Sequence, residues 1–221
     1  MRIRTDDAAR AAYEAHVTVR CGPKGLPRLE RWARDAGLKL THIVLARGRM
    51  VSQPMLTLTG ADGFDGQHAA ARAVAARLRR AGFEPVRVKI EASPWAPEVP
   101  RDDAEAAGLG PGRYFEHHIK LLLDADTDLG ALPRPSGSGT GLAALATAHG
   151  AHLSWNARRV RSTGRHERFV TQRCHTVGVD QAGRRLTALL DAVGAEHPIL
   201  SVEREFVLYD SNLSIDDGWI S

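Results

Sequence analysis

The chain has 221 residues, of which 43% are hydrophobic and 25% are charged, as in an ordinary globular protein. Its net charge of +4 and its 5% aromatic content are too low to favour a dedicated nucleic-acid binder. No apolar run approaches the roughly 20 residues that cross a membrane, and the first residues lack a signal-peptide core. Two cysteines give no disulfide framework. The sequence therefore predicts a cytoplasmic protein that does not bind membranes.

The first hundred residues predict the order strand, helix, strand, strand, helix, strand. Leu29, Trp32 and Ala33 have the spacing of a buried helical face, and Gly37 and Gly82 mark the ends of the two helices. The predicted strands cover residues 14–20, 38–46, 55–59 and 86–92, and the predicted helices cover 28–36 and 67–81. This is the order of a ferredoxin-like unit.

The same order recurs after a connection at residues 93–112 that is rich in proline and glycine. The second set of strands is predicted at 116–123, 152–158, 168–175 and 200–209, and its helices at 142–149 and 181–193. We therefore predict an α+β fold made by tandem duplication of a ferredoxin-like β-α-β-β-α-β unit. Residues 1–100 and 101–221 are the predicted units, with two sheets around a pseudo-twofold cleft. The tail at 210–221 has no counterpart in the first unit.

One pattern occurs on the first strand of each unit: an aromatic residue, Glu, any residue and then His. It lies within Tyr13–Val19 and again within Phe115–Leu121. Because alternate side chains of a strand share a face, the polar residues of each copy line one face and the aliphatic residues point into a core. The polar residues are Glu14, His16 and Thr18 in the first copy and Glu116, His118 and Lys120 in the second.

Two histidines at equivalent positions favour a site of proton transfer, because imidazole titrates near neutral pH. We predict an enzyme that binds a small anionic molecule, for instance a phosphorylated one, between the two units. His16 and His118 are the predicted acid and base, and Glu14 and Glu116 would orient the rings or a neighbour. The predicted anion-binding residues are Thr18, Lys89, Lys120, Arg158 and Arg173.

His16-Val17-Thr18-Val19 resembles the HxTx motif of the 2H phosphoesterases, which are duplicated, two-lobed proteins. The resemblance implies a hydrolase in which each lobe supplies a His for acid–base work and a hydroxyl residue that holds phosphate. The second copy reads His118-Ile119-Lys120-Leu121, so that a lysine stands where the family has Thr or Ser. The two halves would then play different parts.

A second resemblance is to the vicinal-oxygen-chelate proteins, whose paired modules place His on a first strand and Glu on a last strand. The resemblance implies a divalent metal ion and a metal-dependent lyase or isomerase. Two imidazoles and two carboxylates suit a divalent transition metal that keeps open positions for substrate. The residues at the corresponding positions are His16, Glu91, His118 and Glu205.

Other interpretations stay open. The polar faces would also suit a non-catalytic binding or assembly protein, and a homo-oligomer is compatible with every interpretation. The loop Ser136–Gly141 is either a phosphate-binding loop before a helix or a flexible connection. Oxygen-bearing residues alternate along Asp210–Asp216, as in a calcium loop or a hydrogen-bonded turn. In the strand at 168–175, either Gln172 and Cys174 or Arg173 and His175 share the polar face.

Overall fold

The computed structural model describes residues 2–3, 13–60, 63–124, 141–158 and 165–220. Its strands are β1 Arg2–Ile3, β2 Tyr13–Arg20, β3 Lys39–Leu45, β4 Ser52–Gly60, β5 Glu84–Ala92, β6 Tyr114–Leu123, β7 Ala151–Asn156, β8 His166–Cys174 and β9 Ile199–Asp210. Its α-helices are α1 Leu26–Asp35, α2 Gly63–Arg80, α3 Asp103–Ala107, α4 Leu142–Ala148 and α5 Val179–Gly194, and a 3₁₀ helix covers Leu213–Asp216.

Eight of the strands form one closed antiparallel β-barrel. Around the ring the order is β9-β5-β2-β4-β3-β7-β8-β6, and β6 pairs with β9 to close it. The short strand β1 lies outside the ring and pairs in parallel with β9. Because each barrel strand has a neighbour on both sides, the barrel itself has no free edge.

The prediction of two ferredoxin-like sheets around a cleft is wrong, and so is the α+β class that went with it. The predicted strands and helices lie within four residues of the observed ones, but the strands of both halves join in one barrel. Strand β3 pairs with β7, with Val44 opposite Trp155, and β5 pairs with β9, with Ile90 opposite Tyr209. Edge strands of separate sheets would leave backbone groups unpaired, and these pairings satisfy them. Such pairings leave no trace in the order of elements along the chain.

The barrel wall is apolar on its outside and polar on its inside. Val17 and Val19 of β2 point outward into a core with Leu78 of α2, and all three are fully buried. In the second half Ile119 and Leu121 of β6 pack outward in the same way, into a core that α4 and α5 cover. The helices therefore supply the hydrophobic core, and the alternate side chains are left to face the barrel interior.

The C-terminal segment, residues 211–220, crosses one end of the barrel. The indole N–H of Trp219 donates to the Leu153 carbonyl of β7 at 2.9 Å, and the Trp219 side chain is almost fully buried. The backbone N–H of Met50, between β3 and β4, donates to the Ile215 carbonyl at 3.2 Å. This end of the interior is therefore closed by the chain itself. Among the described residues, no helix is long and apolar enough to cross a lipid bilayer.

We expect Leu121→Ala to lower the free energy of unfolding by about 2–5 kcal/mol, because it opens a cavity in a fully buried core. Urea denaturation followed by far-UV circular dichroism measures this change. Val51→Ala is the control, because Val51 is 39% exposed and its truncation should change stability by less than about 0.5 kcal/mol. Equal effects of the two substitutions would contradict the assignment of this core.

Candidate functional site

A cavity of about 210 Å³ lies inside the barrel and is lined by side chains of both halves. Both His16 and His118 line it. The two histidines therefore belong to one site and do not lie on separate solvent-exposed surfaces. The polar faces that the sequence indicates do meet, as the inner wall of one barrel.

The ring of His16 is held on both of its nitrogen atoms. His16 lies opposite Thr57 in the β2–β4 pairing, and its Nδ1 is 3.1 Å from the Thr57 hydroxyl oxygen. Its Nε2 is 2.8 Å from Glu91 and 3.7 Å from Glu14. Since the Glu91 side chain is 2% exposed and that of Glu14 is 42% exposed, the close partner is the buried carboxylate. In this arrangement His16 orients Glu91 and has no ring nitrogen free for a substrate.

His118 has equivalent surroundings in the second half but is held more loosely. Its Nδ1 is 2.9 Å from the hydroxyl oxygen of Thr171, which lies opposite it on β8. Its Nε2 is 3.3 Å from Glu116 and 3.6 Å from Glu205. The Thr171 hydroxyl fixes the ring orientation, and Nε2 faces two carboxylates. This is the arrangement in which an imidazole nitrogen and carboxylate oxygens share a cation.

Lys89 links the two halves at the centre of this site. Its ammonium forms ion pairs with Glu91 of the first half and Glu116 of the second. Burial alone would lower the pKa of Lys89, but the charges of Glu116 and Glu91 raise it above its ordinary value. Glu91 Oε1 is buried, and its contact is the ion pair with this ammonium.

Glu116 is fixed by a second cation. Arg173 Nε donates to Glu116 Oε1 at 2.6 Å, while Lys89 contacts Oε2. Burial would raise the pKa of Glu116, yet the charges of Lys89 and Arg173 hold it well below its usual range. Glu91 shows the same balance: burial opposes its ionisation, and Lys89 and His16 outweigh burial and lower its pKa. Both carboxyl groups are therefore ionised at neutral pH.

The charged side chains around the site, here called the central network, do not balance. Five carboxyl groups face three cations, so the net charge is −2 when every carboxyl group is ionised and both histidines are neutral. Glu205 carries the surplus: its closest ion-pair partner is His118, and burial, followed by the charge of Glu91, raises its pKa well above the ordinary value. The members of the central network are Arg87, Lys89, Glu91, Glu116, Arg173, Glu205, Asp210 and Asp216.

Four side chains of the site bring one ligand atom each within 4.8 Å of all the others. These are Glu91, Glu116, His118 and Glu205. Three of them belong to the metal set predicted from the sequence, and Glu116 stands where His16 was expected. One ion bound to all four would draw these atoms closer, to metal–ligand distances of about 2.0–2.6 Å, and would displace the Lys89 ammonium from Glu91 and Glu116.

The predicted anion-binding residues divide into three groups. Thr18 and Lys120 line the cavity, and the Lys120 ammonium is 3.8 Å from Glu167 and 5.3 Å from the Phe169 ring centroid. Lys89 and Arg173 also line it, but carboxylates already neutralise them. Arg158 does not line the cavity and pairs with Glu30 of α1 at the protein surface.

Other sequence signals have clear outcomes. Arg173 faces the interior together with Thr171, so the strand at 168–175 has the second of its two predicted orientations. Asp210 accepts a hydrogen bond from the Asn212 backbone N–H at 3.1 Å, as a turn requires, and pairs with Arg87. The loop at 136–141 lies, up to residue 140, outside the described residues. Sequence reasoning missed Thr171, whose signal was its two-residue spacing from Arg173, and the role of Asp216, whose alternation with Asp210 indicated only a calcium loop or a turn.

No family model and no curated protein matches this sequence. Among solved structures, the chain is similar to a dye-decolorizing protein from V. cholerae. The sequences are 12% identical, the match covers 91% of this chain and 94% of that one, and the TM-score is 0.27. These values are too low to carry an argument about fold or function, which must come from the site.

We expect Glu205→Gln to stabilise the metal-free protein at pH 8. The raised pKa of Glu205 means that the folded state binds more protons than the unfolded state above the unfolded value of about 4.3. Stability is therefore lost as the pH rises from there through the folded pKa, and the neutral amide avoids this loss. Urea midpoints measured with EDTA at pH 5 and pH 8 should show an advantage of the variant that grows with pH.

Glu203→Gln is the graded control, because Glu203 lines the cavity and its charge is the smallest of the named contributions that raise the pKa of Glu205. Its midpoint should move in the same direction as that of Glu205→Gln, but by less. A Glu205→Gln protein that unfolds at lower urea than the wild type at pH 8 would contradict the charge surplus.

Proposed function

We propose that the protein is a metal-dependent enzyme that acts on a small anionic molecule inside the barrel. The observation that carries the proposal is the group of four ligand atoms within 4.8 Å of one another. Three carboxylate oxygens and one imidazole nitrogen suit a divalent ion such as Mn²⁺ or Zn²⁺. Ionisation of Glu205 brings the central network to a net charge of −2, which is the charge that one divalent ion neutralises.

The support for three of the four ligands favours a metal site over a simple cluster of acids. Metal ligands are ordinarily oriented by partners outside the coordination sphere. His16 holds Glu91, Arg173 holds Glu116, and the Thr171 hydroxyl holds the ring of His118. Glu205 alone has no such fixed partner among the described residues, and it is the carboxyl group whose negative charge is least compensated.

The rest of the cavity supplies contacts for an anion. Lys39 and Lys120 line it, and Lys39 has no carboxylate partner among the described residues. A divalent ion on the carboxylate side would add positive charge, polarise a substrate oxygen and lower the pKa of a bound water. The chain itself would contribute Lys39 and Lys120 as charge partners, and His16 would keep Glu91 ionised and in position. Hydrolysis of an anionic ester is the reaction class that fits this set.

We expect the purified protein, after treatment with EDTA and its removal, to bind one Mn²⁺ ion per chain. Isothermal titration calorimetry and the loss of the free Mn²⁺ electron paramagnetic resonance signal measure binding. Glu205→Gln and His118→Gln should each weaken it by more than about tenfold, because each removes a ligand. Glu205→Gln is the more informative variant, since it should fold at least as well as the wild type.

The control for these variants is Glu203→Gln, which removes a nearby charge but no ligand and should weaken Mn²⁺ binding far less than either of them. Mn²⁺-dependent release of p-nitrophenol from p-nitrophenyl phosphate and bis(p-nitrophenyl) phosphate then tests the reaction class. A wild-type protein that binds neither Mn²⁺ nor Zn²⁺ would rule the proposal out.

A second candidate function is acid–base catalysis by His16 and His118 without a metal. The equivalent surroundings of the two rings favour it, since each contacts a threonine hydroxyl and a glutamate. In that case hydrolysis of the same esters would survive EDTA, and His16→Asn and His118→Asn would abolish it equally. For the metal enzyme, EDTA abolishes turnover and His16→Asn, which removes only a support, leaves more activity than His118→Asn.

A further inference from the structure

A buried carboxylate of the C-terminal segment contacts three side chains that line the cavity. Asp216 is 3% exposed. Its Oδ1 accepts a hydrogen bond from Gln53 at 2.7 Å. Its Oδ2 accepts from Arg87 at 2.9 Å and from Arg173 at 2.8 Å. Residues from β4, β5 and β8 therefore converge on one group that belongs to none of the barrel strands.

Of these three contacts, the one with Arg173 leads to the proposed cation site. Arg173 uses Nη2 for Asp216 and Nε for Glu116, so its planar guanidinium is held between two carboxylates. The same guanidinium lies over the rings of Tyr114, at 4.9 Å, and Trp219, at 5.7 Å. With two charged partners and two aromatic faces around it, the guanidinium has one orientation, and that orientation fixes Glu116 Oε1.

We propose that Asp216 is a positioning residue for the cation site, acting through Arg173 on the carboxylate of Glu116. The inference rests on the proposed function, since it names what holds one of the four ligands. The C-terminal segment is then part of the site as well as the closure of one barrel end.

The role of Asp216 can be tested with a substitution that should preserve the fold. When Asp216 becomes asparagine, Arg87 keeps its ion pair with Asp210, and Arg173 keeps its hydrogen bond to Glu116. The amide can still bond to Gln53. What is lost is the second charged partner that stops the Arg173 guanidinium from turning.

We expect Asp216→Asn to raise the Kd for Mn²⁺ by about tenfold or more, the usual effect of removing an outer-shell partner. The measurement is a calorimetric titration of the full chain at a temperature where circular dichroism shows it folded. Asp217→Asn is the matched control, because the neighbouring carboxylate is exposed and only reaches Arg49, at 3.6 Å. It should leave the Kd unchanged. Equal affinities of the Asp216→Asn and wild-type proteins would overturn the proposal.

A second variant tests the route through Arg173. Arg173→Lys keeps the charge but cannot reach both carboxylates with a planar fork, so it should weaken Mn²⁺ binding as Asp216→Asn does. The double variant should then bind no more weakly than either single one, because both substitutions break the same relay. Additive losses would show that Asp216 acts by another route and would overturn the assignment.

A measurement in EDTA separates this inference from the proposed function. Urea midpoints of Asp216→Asn, Glu116→Gln and the double variant report whether the two carboxylates are coupled without any metal ion. A double variant whose midpoint falls by less than the sum of the single shifts supports the relay, and additive shifts overturn it. If the midpoints of the variants are coupled but the wild-type protein binds no divalent ion, the proposed function alone is overturned.

Discussion

The structure depends on the neutralisation of Lys89 by Glu91 and Glu116. An ammonium taken out of water costs several kcal/mol unless carboxylates compensate for the loss of hydration. Glu91 lies beside Lys89 on β5, but Glu116 lies on β6, in the other half of the chain. Lys89 therefore has both of its ion pairs only when the two halves share one barrel. Removing either carboxylate breaks a buried ion pair, which ordinarily lowers stability by about 3–5 kcal/mol.

The same constraint accounts for the distribution of polarity. Helices α2 and α5 cover the outside of the wall, so the hydrophobic cores lie between helices and sheet. Because the hydrophobic cores lie outside the barrel wall, the interior can hold more ionised groups than a hydrophobic core could. It is small, at about 210 Å³, and it is crowded with charge. Such an interior is suited to binding an ion or a polar molecule rather than to stabilising the fold, since buried ion pairs contribute little net stability.

The sequence predicts the local pattern well and the long-range pattern poorly. Two-residue alternation places His16 and His118 on the polar faces of their strands, and the repeated pattern marks them as equivalent. Barrel closure could not be predicted, because the β3–β7 and β5–β9 pairings join strands that are far apart in the chain. The roles within the site were also beyond reach. That His16 contacts Glu91 closely, while Glu116 lies in the group of proposed ligands, depends on distances of a few tenths of an ångström, which residue types do not encode.

The role of Asp216 could not be predicted either, because it depends on contacts between residues far apart in the chain. The alternation of Asp216 with Asp210 indicates a local turn, and a local turn is present. Yet its partners Arg87 and Arg173 are 129 and 43 residues away along the chain. Only the path of the C-terminal segment across the end of the barrel reveals that the Asp216 carboxylate contacts side chains that line the cavity. A residue type and its neighbours in sequence say little about a group whose contacts are all distant.

The position of β9 in the ring has a consequence for synthesis of the protein in the cell. This strand lies between β5 and β6 and also carries β1, whose Arg2 lies opposite Ser201. The nascent chain therefore cannot close the barrel until β9 has left the ribosome. Until then, β3 and β5 are the unpaired edge strands of the sheet formed by the first half. Exposed edges of this kind invite aggregation. The face of this first sheet that later lines the cavity carries His16, Lys89 and Glu91, which remain hydrated until the second half covers them.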